Sequence, residues 1–344
     1  MTMVTKQQGA IDEKRSIDED VLVDVRNIKK YFSIKGGILQ KTVGQLKAVD
    51  DVSFTIRKGE TLGIVGESGS GKSTLGRVLI RLLDPTAGQI IFNQTDITNL
   101  SQRQIRPIRE DMQMVFQDPF ASLNSKMSIE QLIEEPLLVQ GKLAKPARKQ
   151  KVLEVLEKVG LRKDDLQKYP HEFSGGQRQR ISIARALVLN PNFVICDEPV
   201  SALDVSIQAQ VLNLMKDLQD DLGLTYLFIA HDLSVVKHIS DRVAVMYLGR
   251  FAEVAPKKQL YENALHPYTQ ALLSSIPIID LNEENAKKER IKLEGDLPSP
   301  ANPPSGCTFR TRCPKVHDRC AIDRPELIEI EKDHFVACHL YSER

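Results

Sequence analysis

The sequence lacks tryptophan, long apolar runs and a net charge of either sign. Its 47 lysines and arginines nearly balance 46 aspartates and glutamates, which leaves a formal net charge of +1. Without a basic excess, electrostatics gives no reason to expect nucleic acid as a partner. The longest apolar runs, 226–230 and 243–248, are far shorter than the roughly 18 residues that a membrane-spanning helix needs. Residues 1–20 are polar and show no signal-peptide pattern, so we expect a cytosolic chain that reaches a membrane only through a partner.

The sequence does contain an ordinary share of hydrophobic residues, 41%, beside 27% charged residues, which excludes wholesale disorder. Short runs rich in β-branched residues occur at 21–25, 52–56, 61–65, 90–92, 112–116, 193–196, 224–230 and 243–247. Helical stretches at 75–83, 150–159, 176–189 and 208–222 lie between them. Strands that alternate with helices predict an α/β fold with a doubly wound sheet, buried on both faces where its strands are parallel.

Two intervals break this alternation. Residues from about 100 to 175 are mostly helical and charged, which predicts a helical insertion on the sheet domain. Residues 296–305 (DLPSPANPPS) are rich in proline, which disfavours helices and sheet ladders, and a cysteine-bearing tail follows them. We therefore expect a disordered segment at 1–20, an α/β domain at 21–260 with a helical subdomain at about 100–175, and a C-terminal extension at 261–344.

Residues 66–73 (GESGSGKS) fit the phosphate-binding pattern G-x-x-x-x-G-K-[ST], between a predicted strand and a predicted helix. The glycines let backbone N–H groups surround phosphates, and the N-terminus of the helix adds a favourable dipole. Lys72 supplies a positive charge for the β- and γ-phosphates, and Ser73 or Thr74 offers a hydroxyl to Mg²⁺. An accidental glycine-rich turn is the alternative, but the strand–turn–helix context favours nucleotide binding. The predicted ATP-binding residues here are Gly66, Glu67, Ser68, Gly69, Ser70, Gly71, Lys72, Ser73 and Thr74.

Three further polar groups follow predicted strands of the same sheet. Asp197 and Glu198 end the run 193–196, and His231 follows the run 224–230. The carboxyl ends of parallel strands are where a doubly wound sheet binds its ligands. Asp197 is therefore predicted to hold Mg²⁺, and Glu198 to polarise an attacking water. Taken alone, each could be an ordinary strand end or a structural histidine.

An ordered set of motifs resembles the ATP-binding subunits of ABC transporters. After the phosphate loop come Gln117, the segment 174–177 (SGGQ), the Asp197–Glu198 pair, the segment 201–204 (SALD) and His231. The resemblance covers about residues 21–260. It implies an ATPase with a P-loop core of the RecA type, an antiparallel β subdomain and a helical signature subdomain.

The resemblance also implies roles for single residues. Gln117 would sense the γ-phosphate through Mg²⁺ and face the membrane partner, and His231 would contact the γ-phosphate and the attacking water. Asp204 would join two sites across a dimer, and Phe32, with Tyr31 as the alternative, would stack on adenine unless it is plain core. The signature residues Ser174, Gly175, Gly176 and Gln177 would bind ATP held by the opposite subunit. One ATP site then needs two subunits, and a lone chain should hydrolyse ATP poorly.

The segments 113–124, 197–210 and 266–269 resemble the bacterial oligopeptide/dipeptide importers, and 35–49 with 73–88 resemble the ATPase subunit lettered F. The resemblance implies a second, homologous ATPase subunit, two permease subunits and an extracytoplasmic peptide-binding protein, with this chain at the cytoplasmic face of the membrane. Nickel and glutathione importers share most of this pattern. A soluble ABC ATPase of repair or translation is a further alternative. An iron–sulfur protein with a vestigial ATPase is another, and intact Lys72, Glu198 and His231 argue against it.

Four of the five cysteines, Cys307, Cys313, Cys320 and Cys338, lie after residue 306. Their spacing is not a common zinc pattern. By itself the spacing favours a metal site over four free thiols without excluding free thiols. Basic neighbours at 310, 312, 315 and 319 predict lowered thiol pKa values, although they could simply form a solvated loop. The resemblance to peptide-importer ATPases favours a [4Fe–4S] cluster, with Zn²⁺ as the alternative. Cys196 is predicted to be a small buried core residue.

Overall fold

Two sheets and a group of helices make up the described part of the chain, residues 19–36, 40–276 and 291–342 of a computed structural model. The strands are β1 (Val21–Gly36), β2 (Lys41–Arg57), β3 (Thr61–Val65), β4 (Ala87–Phe92), β5 (Thr95–Asp96), β6 (Met112–Val115), β7 (Phe193–Asp197), β8 (Thr225–Ala230), β9 (Arg242–Tyr247), β10 (Arg250–Pro256), β11 (Ile328–Glu331) and β12 (His334–Val336). The helices are α1 (Lys72–Leu79), α2 (Gln102–Ile108), α3 (Pro119–Ser122), α4 (Ile129–Gln140), α5 (Lys145–Lys158), α6 (Gly175–Leu187), α7 (Val205–Leu222), α8 (Leu233–Ile239), α9 (Lys257–Glu262), α10 (Pro267–Ser274) and α11 (Arg319–Ile322). The disordered segment predicted at 1–20 lies, apart from residues 19 and 20, outside the described residues.

The larger sheet has eight strands in the order β11-β12-β10-β9-β3-β8-β7-β6. The strands from β9 to β6 run parallel, and β3, β7 and β8 are buried along their whole length, as their nearly continuous apolar runs predict. In the register of this sheet Val65 pairs with Ala230, and Asp197 pairs with Ile229. The carboxyl ends of β3, β7 and β8 therefore meet at one edge.

The smaller sheet is antiparallel, in the order β2-β1-β4-β5. It takes up the predicted strand runs 21–25, 52–56 and 90–92, so the predicted antiparallel β subdomain is confirmed. The β1–β2 hairpin extends well beyond these runs. Its far half is exposed or only partly buried, so its scattered apolar residues do not form the run that marks a buried strand.

Helices α3 to α6 lie between β6 and β7 in the sequence, while the interval of about 100–175 that we expected to be a helical insertion also contains α2 and β6. Helices α4, α5 and α6 pack around shared apolar side chains such as Ile133, Leu156 and Ile181, which are completely buried. The helix predicted at 75–83 is shorter in the structure, and Arg81 follows it in a left-handed conformation with φ 55°. Among the described helices, none combines the length and the apolar character that a bilayer crossing requires.

The C-terminal extension joins the larger sheet, because β12 pairs with β10 and β11 pairs with β12. The carboxylate of Glu253 on β10 is completely buried and accepts the backbone N–H groups of Leu265 (2.8 Å) and His266 (2.9 Å). The ring atom Nε2 of His334, on β12, lies 2.8 Å from the same carboxylate. One buried acid thus connects β10, the start of α10 and the extension.

Replacing this acid tests its structural role. Glu253→Ala leaves two backbone donors and the His334 ring without their partner in the core, so we expect a loss of about 3 kcal/mol of unfolding free energy. Urea denaturation followed by far-UV circular dichroism measures it, with Glu331→Ala on the exposed face of β11 as the matched control. Equal urea midpoints for the two variants would show that Glu253 is dispensable.

Candidate active site

The loop between β3 and α1 adopts a shape that requires glycine at two positions. Gly66 has φ 156°, and a Cβ atom there would lie 2.1 Å from the carbonyl oxygen of Met246. Gly71 has φ 104°, and its Cβ would lie 2.0 Å from the carbonyl oxygen of Ala48. The loop therefore packs directly on the backbone of neighbouring strands. Ser68 and Gly69 are exposed, while Ser70 is buried and its N–H donates to the carbonyl of Glu67.

Lys72 lies beneath this loop and is almost fully buried. Its Nζ donates to the carbonyl oxygens of Gly66 (2.7 Å) and Glu67 (3.0 Å), and lies 3.4 Å from Ser70 Oγ. Burial lowers the pKa of Lys72, and the nearby carboxylates, Glu198 foremost, oppose that shift. The lysine thus places its ammonium at the centre of a loop whose shape suits phosphate groups.

Asp197, at the end of β7, has one oxygen paired and one unpaired. Ser73 Oγ donates to its Oδ1 at 2.7 Å, whereas Oδ2 is buried without a hydrogen-bond partner in the described residues. Arg77, which the sequence did not single out, lies 3.9 Å from that oxygen. Burial raises the pKa of Asp197. A hydroxyl beside a buried carboxylate with a free oxygen is a donor set that suits Mg²⁺, while Thr74 is partly buried on the next position of α1.

Glu198 faces a different set of partners from Asp197. Gln117 Nε2 donates to Glu198 Oε2 at 2.9 Å, and His231 Nδ1 lies 3.3 Å from the same oxygen. Glu198 adopts φ 48°, a left-handed conformation that is costly for a residue with a side chain, and its N–H donates to Ile229. This strained turn lets two adjacent acids point to different groups. The structure therefore brings together Gln117, Glu198 and His231, which are far apart in the sequence.

The signature segment 174–177 begins α6. Ser174 and Gln177 form the capping box expected from their spacing, with Gln177 Oε1 accepting the Ser174 N–H at 3.0 Å. Gly176 is required for packing, because a Cβ there would lie 2.4 Å from Ile207 on α7, and Gly175 faces Leu203. Over the described ranges, no hydrogen bond or ion pair connects this segment to the loop 66–74. Asp204 is exposed at the start of α7, beside Val205, which is 82% exposed.

The two aromatic candidates on β1 differ in their surroundings. Phe32 is 38% exposed, with the ammonium of Lys30 over its ring. The hydroxyl of Tyr31 donates to Asp50, and burial together with that bond raises the pKa of Tyr31 to about 12. Phe32 is therefore the more exposed of the two aromatic side chains.

The prediction of lowered thiol pKa values in the tail is wrong. Burial raises the pKa of Cys307 and of Cys338 to about 11, and it raises that of Cys313 although Lys315 opposes the shift. The other three tail thiols also raise the pKa of Cys338, so the four cysteines share one environment. Cys196 is fully buried, as predicted.

No three His, Cys, Asp or Glu side chains in the described residues are arranged to hold a metal ion, so the Zn²⁺ alternative does not fit this geometry. The basic residues of the tail have other partners. Arg310 donates to Ser305, Arg319 lies 3.8 Å from Asp323, and Arg312 pairs with Glu67 of the phosphate loop. For Cys307, Cys313 and Cys338, burial is the largest cause of the shift, and it keeps their pKa values above the ordinary thiol value.

Two contacts to the phosphate loop come from residues that the sequence did not assign to the site. Tyr268 OH accepts the N–H of Glu67 at 3.0 Å, and Arg312 Nη1 lies 3.0 and 2.9 Å from the two carboxylate oxygens of Glu67. In the sequence, Tyr268 belongs to the segment 266–269, which indicated only a family resemblance. Arg312 was expected only to lie near the cysteines. No local pattern signals contacts over such long separations.

Comparisons with known proteins agree with this geometry. The family model "ABC transporter" matches residues 49–201, and the model "Oligopeptide/dipeptide transporter, C-terminal region" matches residues 252–320. The oligopeptide transport ATP-binding protein AppF of Bacillus subtilis is 58% identical over 326 residues, which cover 94% of this chain and 99% of AppF. The dipeptide transport ATP-binding protein DppF of Haemophilus influenzae is 50% identical over 317 residues, 92% of this chain and 96% of DppF.

Among solved structures, the dimeric ATP-binding cassette MJ0796 bound to ADP and Pi aligns with a TM-score of 0.61 at 28% identity, over 69% of this chain and 99% of that chain. The cbiO1 protein of Clostridium perfringens aligns with a TM-score of 0.62 at 30% identity, over 71% of this chain and 92% of that chain. The P-loop core with its antiparallel and helical subdomains is thus the ABC cassette fold. On these grounds the chain belongs to the ABC transporter family of ATP-binding proteins, in the branch that carries the oligopeptide/dipeptide transporter C-terminal region.

Proposed function

We propose that this chain hydrolyses ATP to power the uptake of oligopeptides or dipeptides through a membrane permease. The observation that carries the proposal is the meeting of Gln117, Glu198 and His231 at the edge of the sheet that also presents the phosphate loop. The relatives AppF and DppF, named for oligopeptide and dipeptide transport, support the choice of cargo.

In this proposal the residues divide the work of hydrolysis. The loop 66–74 and Lys72 bind the phosphates, and Phe32 stacks on the adenine. Glu198 accepts a hydrogen bond from the attacking water and polarises it, while Gln117 and His231 orient the Glu198 carboxylate and the water. Ser73, Gln117 and Asp197 would hold Mg²⁺, which when bound would offset the negative charge of the phosphates.

A second ATPase subunit completes the site in this proposal. Within the described residues, 174–177 make no hydrogen bond or ion pair to the phosphate loop of their own chain. The exposed start of α7 at Asp204 and Val205 offers a surface to a partner. The N-terminus of α6 would then face the γ-phosphate held by the other subunit. The partner is a homologous ATPase, and two permease subunits and an extracytoplasmic peptide-binding protein complete an importer at the cytoplasmic face of the membrane.

Uptake by cells tests the proposed function. In cells that lack the gene, we expect the wild-type chain to restore uptake of labelled peptides and Glu198→Gln to fail. The amide cannot polarise water as a carboxylate does, yet it leaves the phosphate loop intact. Glu198→Gln should therefore bind ATP like the wild type while its turnover falls at least about a hundredfold.

The same cells are tested with nickel and with glutathione. Restored uptake of either one, without peptide uptake, would support ATP-driven transport and would show that the transported substrate is not a peptide. No uptake of any of them would favour a soluble ABC ATPase. Wild-type turnover by Glu198→Gln, assayed with the partner subunit present, would overturn the role of Glu198.

The helical subdomain offers a separate test of coupling to the permease. We expect the surface 124–135 to dock the permease. Two of its charged residues, Glu134 and Glu135, form ion pairs with arginines of this chain and are therefore unsuitable for a surface test. Lys126 is exposed, so Lys126→Glu changes the surface without breaking an internal ion pair. We expect it to reduce peptide uptake about tenfold and to leave ATP binding unchanged. Lys158→Glu, at an exposed position at the end of α5, is the control; equal uptake by the two variants would contradict docking at 124–135.

The tail is proposed to bind a [4Fe–4S] cluster through Cys307, Cys313, Cys320 and Cys338. The support is the shared environment of the four thiols: Cys313 and Cys320 both raise the pKa of Cys307, and the other three thiols raise the pKa of Cys338. A four-iron cluster takes four thiolates around a body larger than a single ion, so its thiols need not converge as closely as the ligands of one ion.

Analysis of iron and acid-labile sulfide after anaerobic purification tests the cluster. We expect the wild-type chain and Cys196→Ser to contain both in equal amounts, because Cys196 lies in the core of the sheet domain. Cys320→Ser should lose both. Absence of iron and sulfide from the wild type, with or without zinc, would overturn the cluster.

A further inference from the structure

The C-terminal extension reaches the phosphate loop through one ion pair. Arg312 and Glu67 are 245 residues apart in the sequence, and Arg312 Nη1 lies 3.0 and 2.9 Å from the two oxygens of the Glu67 carboxylate. The side chain of Arg312 is 10% exposed and that of Glu67 is 27% exposed. Since this pair is largely shielded from water, it is less weakened by solvent than a surface ion pair.

Aromatic packing anchors the segment that carries Arg312. Phe309 is 2% exposed, and its ring centroid lies 5.2 Å from that of Tyr247 and 5.3 Å from that of Tyr268. The hydroxyl of Tyr268 in turn accepts the N–H of Glu67. Two residues of the C-terminal extension thus hold Glu67 from outside the phosphate loop: Tyr268 on α10 holds its backbone, and Arg312 holds its side chain.

Glu67 is the only acidic residue in the loop 66–74, where the nucleotide phosphates bind in the proposed function. Its main-chain carbonyl accepts the Lys72 ammonium, so it lies beside the group that meets the β- and γ-phosphates. An unpaired carboxylate there would repel a triphosphate and would compete for the lysine. Arg312 neutralises that carboxylate and keeps it directed toward the extension.

We propose that Arg312 is a positioning residue of the nucleotide site, supplied by the C-terminal extension, that holds the Glu67 carboxylate away from the phosphates of ATP. This inference rests on the proposed binding of ATP at 66–74. Arg312 directly precedes Cys313, so the proposal also makes the conformation of the cysteine tail a determinant of ATP affinity.

The affinity of the full-length chain for MgATP, measured by equilibrium dialysis, tests this proposal. Arg312→Ala should raise the Kd about tenfold, because the freed carboxylate repels the phosphates. Arg312→Lys keeps the positive charge and should retain most of the affinity. The double variant Glu67→Gln/Arg312→Ala should bind about as tightly as Glu67→Gln, since no carboxylate remains to repel.

Arg310→Ala is the matched control, because Arg310 lies on the same segment and its guanidinium donates to Ser305 of the extension rather than to the phosphate loop. It should bind MgATP like the wild type. The defect of Arg312→Ala should also shrink as salt is raised, since screening weakens the repulsion.

Three outcomes would overturn the proposal. Wild-type affinity in Arg312→Ala would show that the ion pair has no role in ATP binding. An equal loss in Arg312→Ala and in the double variant would mean that the arginine acts only by holding the fold. A wild-type chain that binds no MgATP would overturn the proposed function, and this inference with it, whereas the first two outcomes leave the proposed function intact.

Discussion

The parallel pairing of β3, β7 and β8 places the ends of three distant segments at one edge of the sheet. The register pairs Val65 with Ala230 and Asp197 with Ile229. This pairing alone brings the phosphate loop, the two acids and His231 together, so no contact between their side chains is needed to do so. The strands are buried on both faces, so a slip in register would move apolar side chains and would be opposed by the whole core. The packing of the buried strands therefore fixes the positions of the site residues at this edge.

The same edge also carries the strain and the unpaired groups that a nucleotide site needs. Glu198 sits in a left-handed conformation, and Asp197 keeps one buried oxygen without a hydrogen bond. Both features cost free energy in the isolated chain, and the surrounding core keeps them in place. The signature segment at the start of α6 is capped but makes no bond to the phosphate loop in the described part of the molecule.

The extension is integrated into the cassette in two places. Its strands extend the larger sheet at β10. There the buried carboxylate of Glu253 contacts the backbone N–H groups of Leu265 and His266 and the ring of His334. Its cysteine-bearing segment packs Phe309 against two tyrosines and pairs Arg312 with the phosphate loop. Cys320 and Cys338 are buried and Cys307 and Cys313 are partly buried. For Cys307, Cys313 and Cys338, burial rather than neighbouring positive charge decides the direction of the pKa shift.

The sequence by itself determined the features that depend on neighbouring residues. The glycine spacing of 66–73, the capping box of Ser174 and Gln177, and the apolar runs of β3, β7 and β8 are local patterns, and each predicts its structure through backbone geometry or burial. The order of motifs also predicted the family and the cassette fold. Only the tertiary structure decided the long β1–β2 hairpin, the pairing of β12 with β10, and the contacts of Tyr268 and Arg312 with Glu67. These depend on which surfaces meet after folding, and no local pattern in the sequence marks these particular contacts.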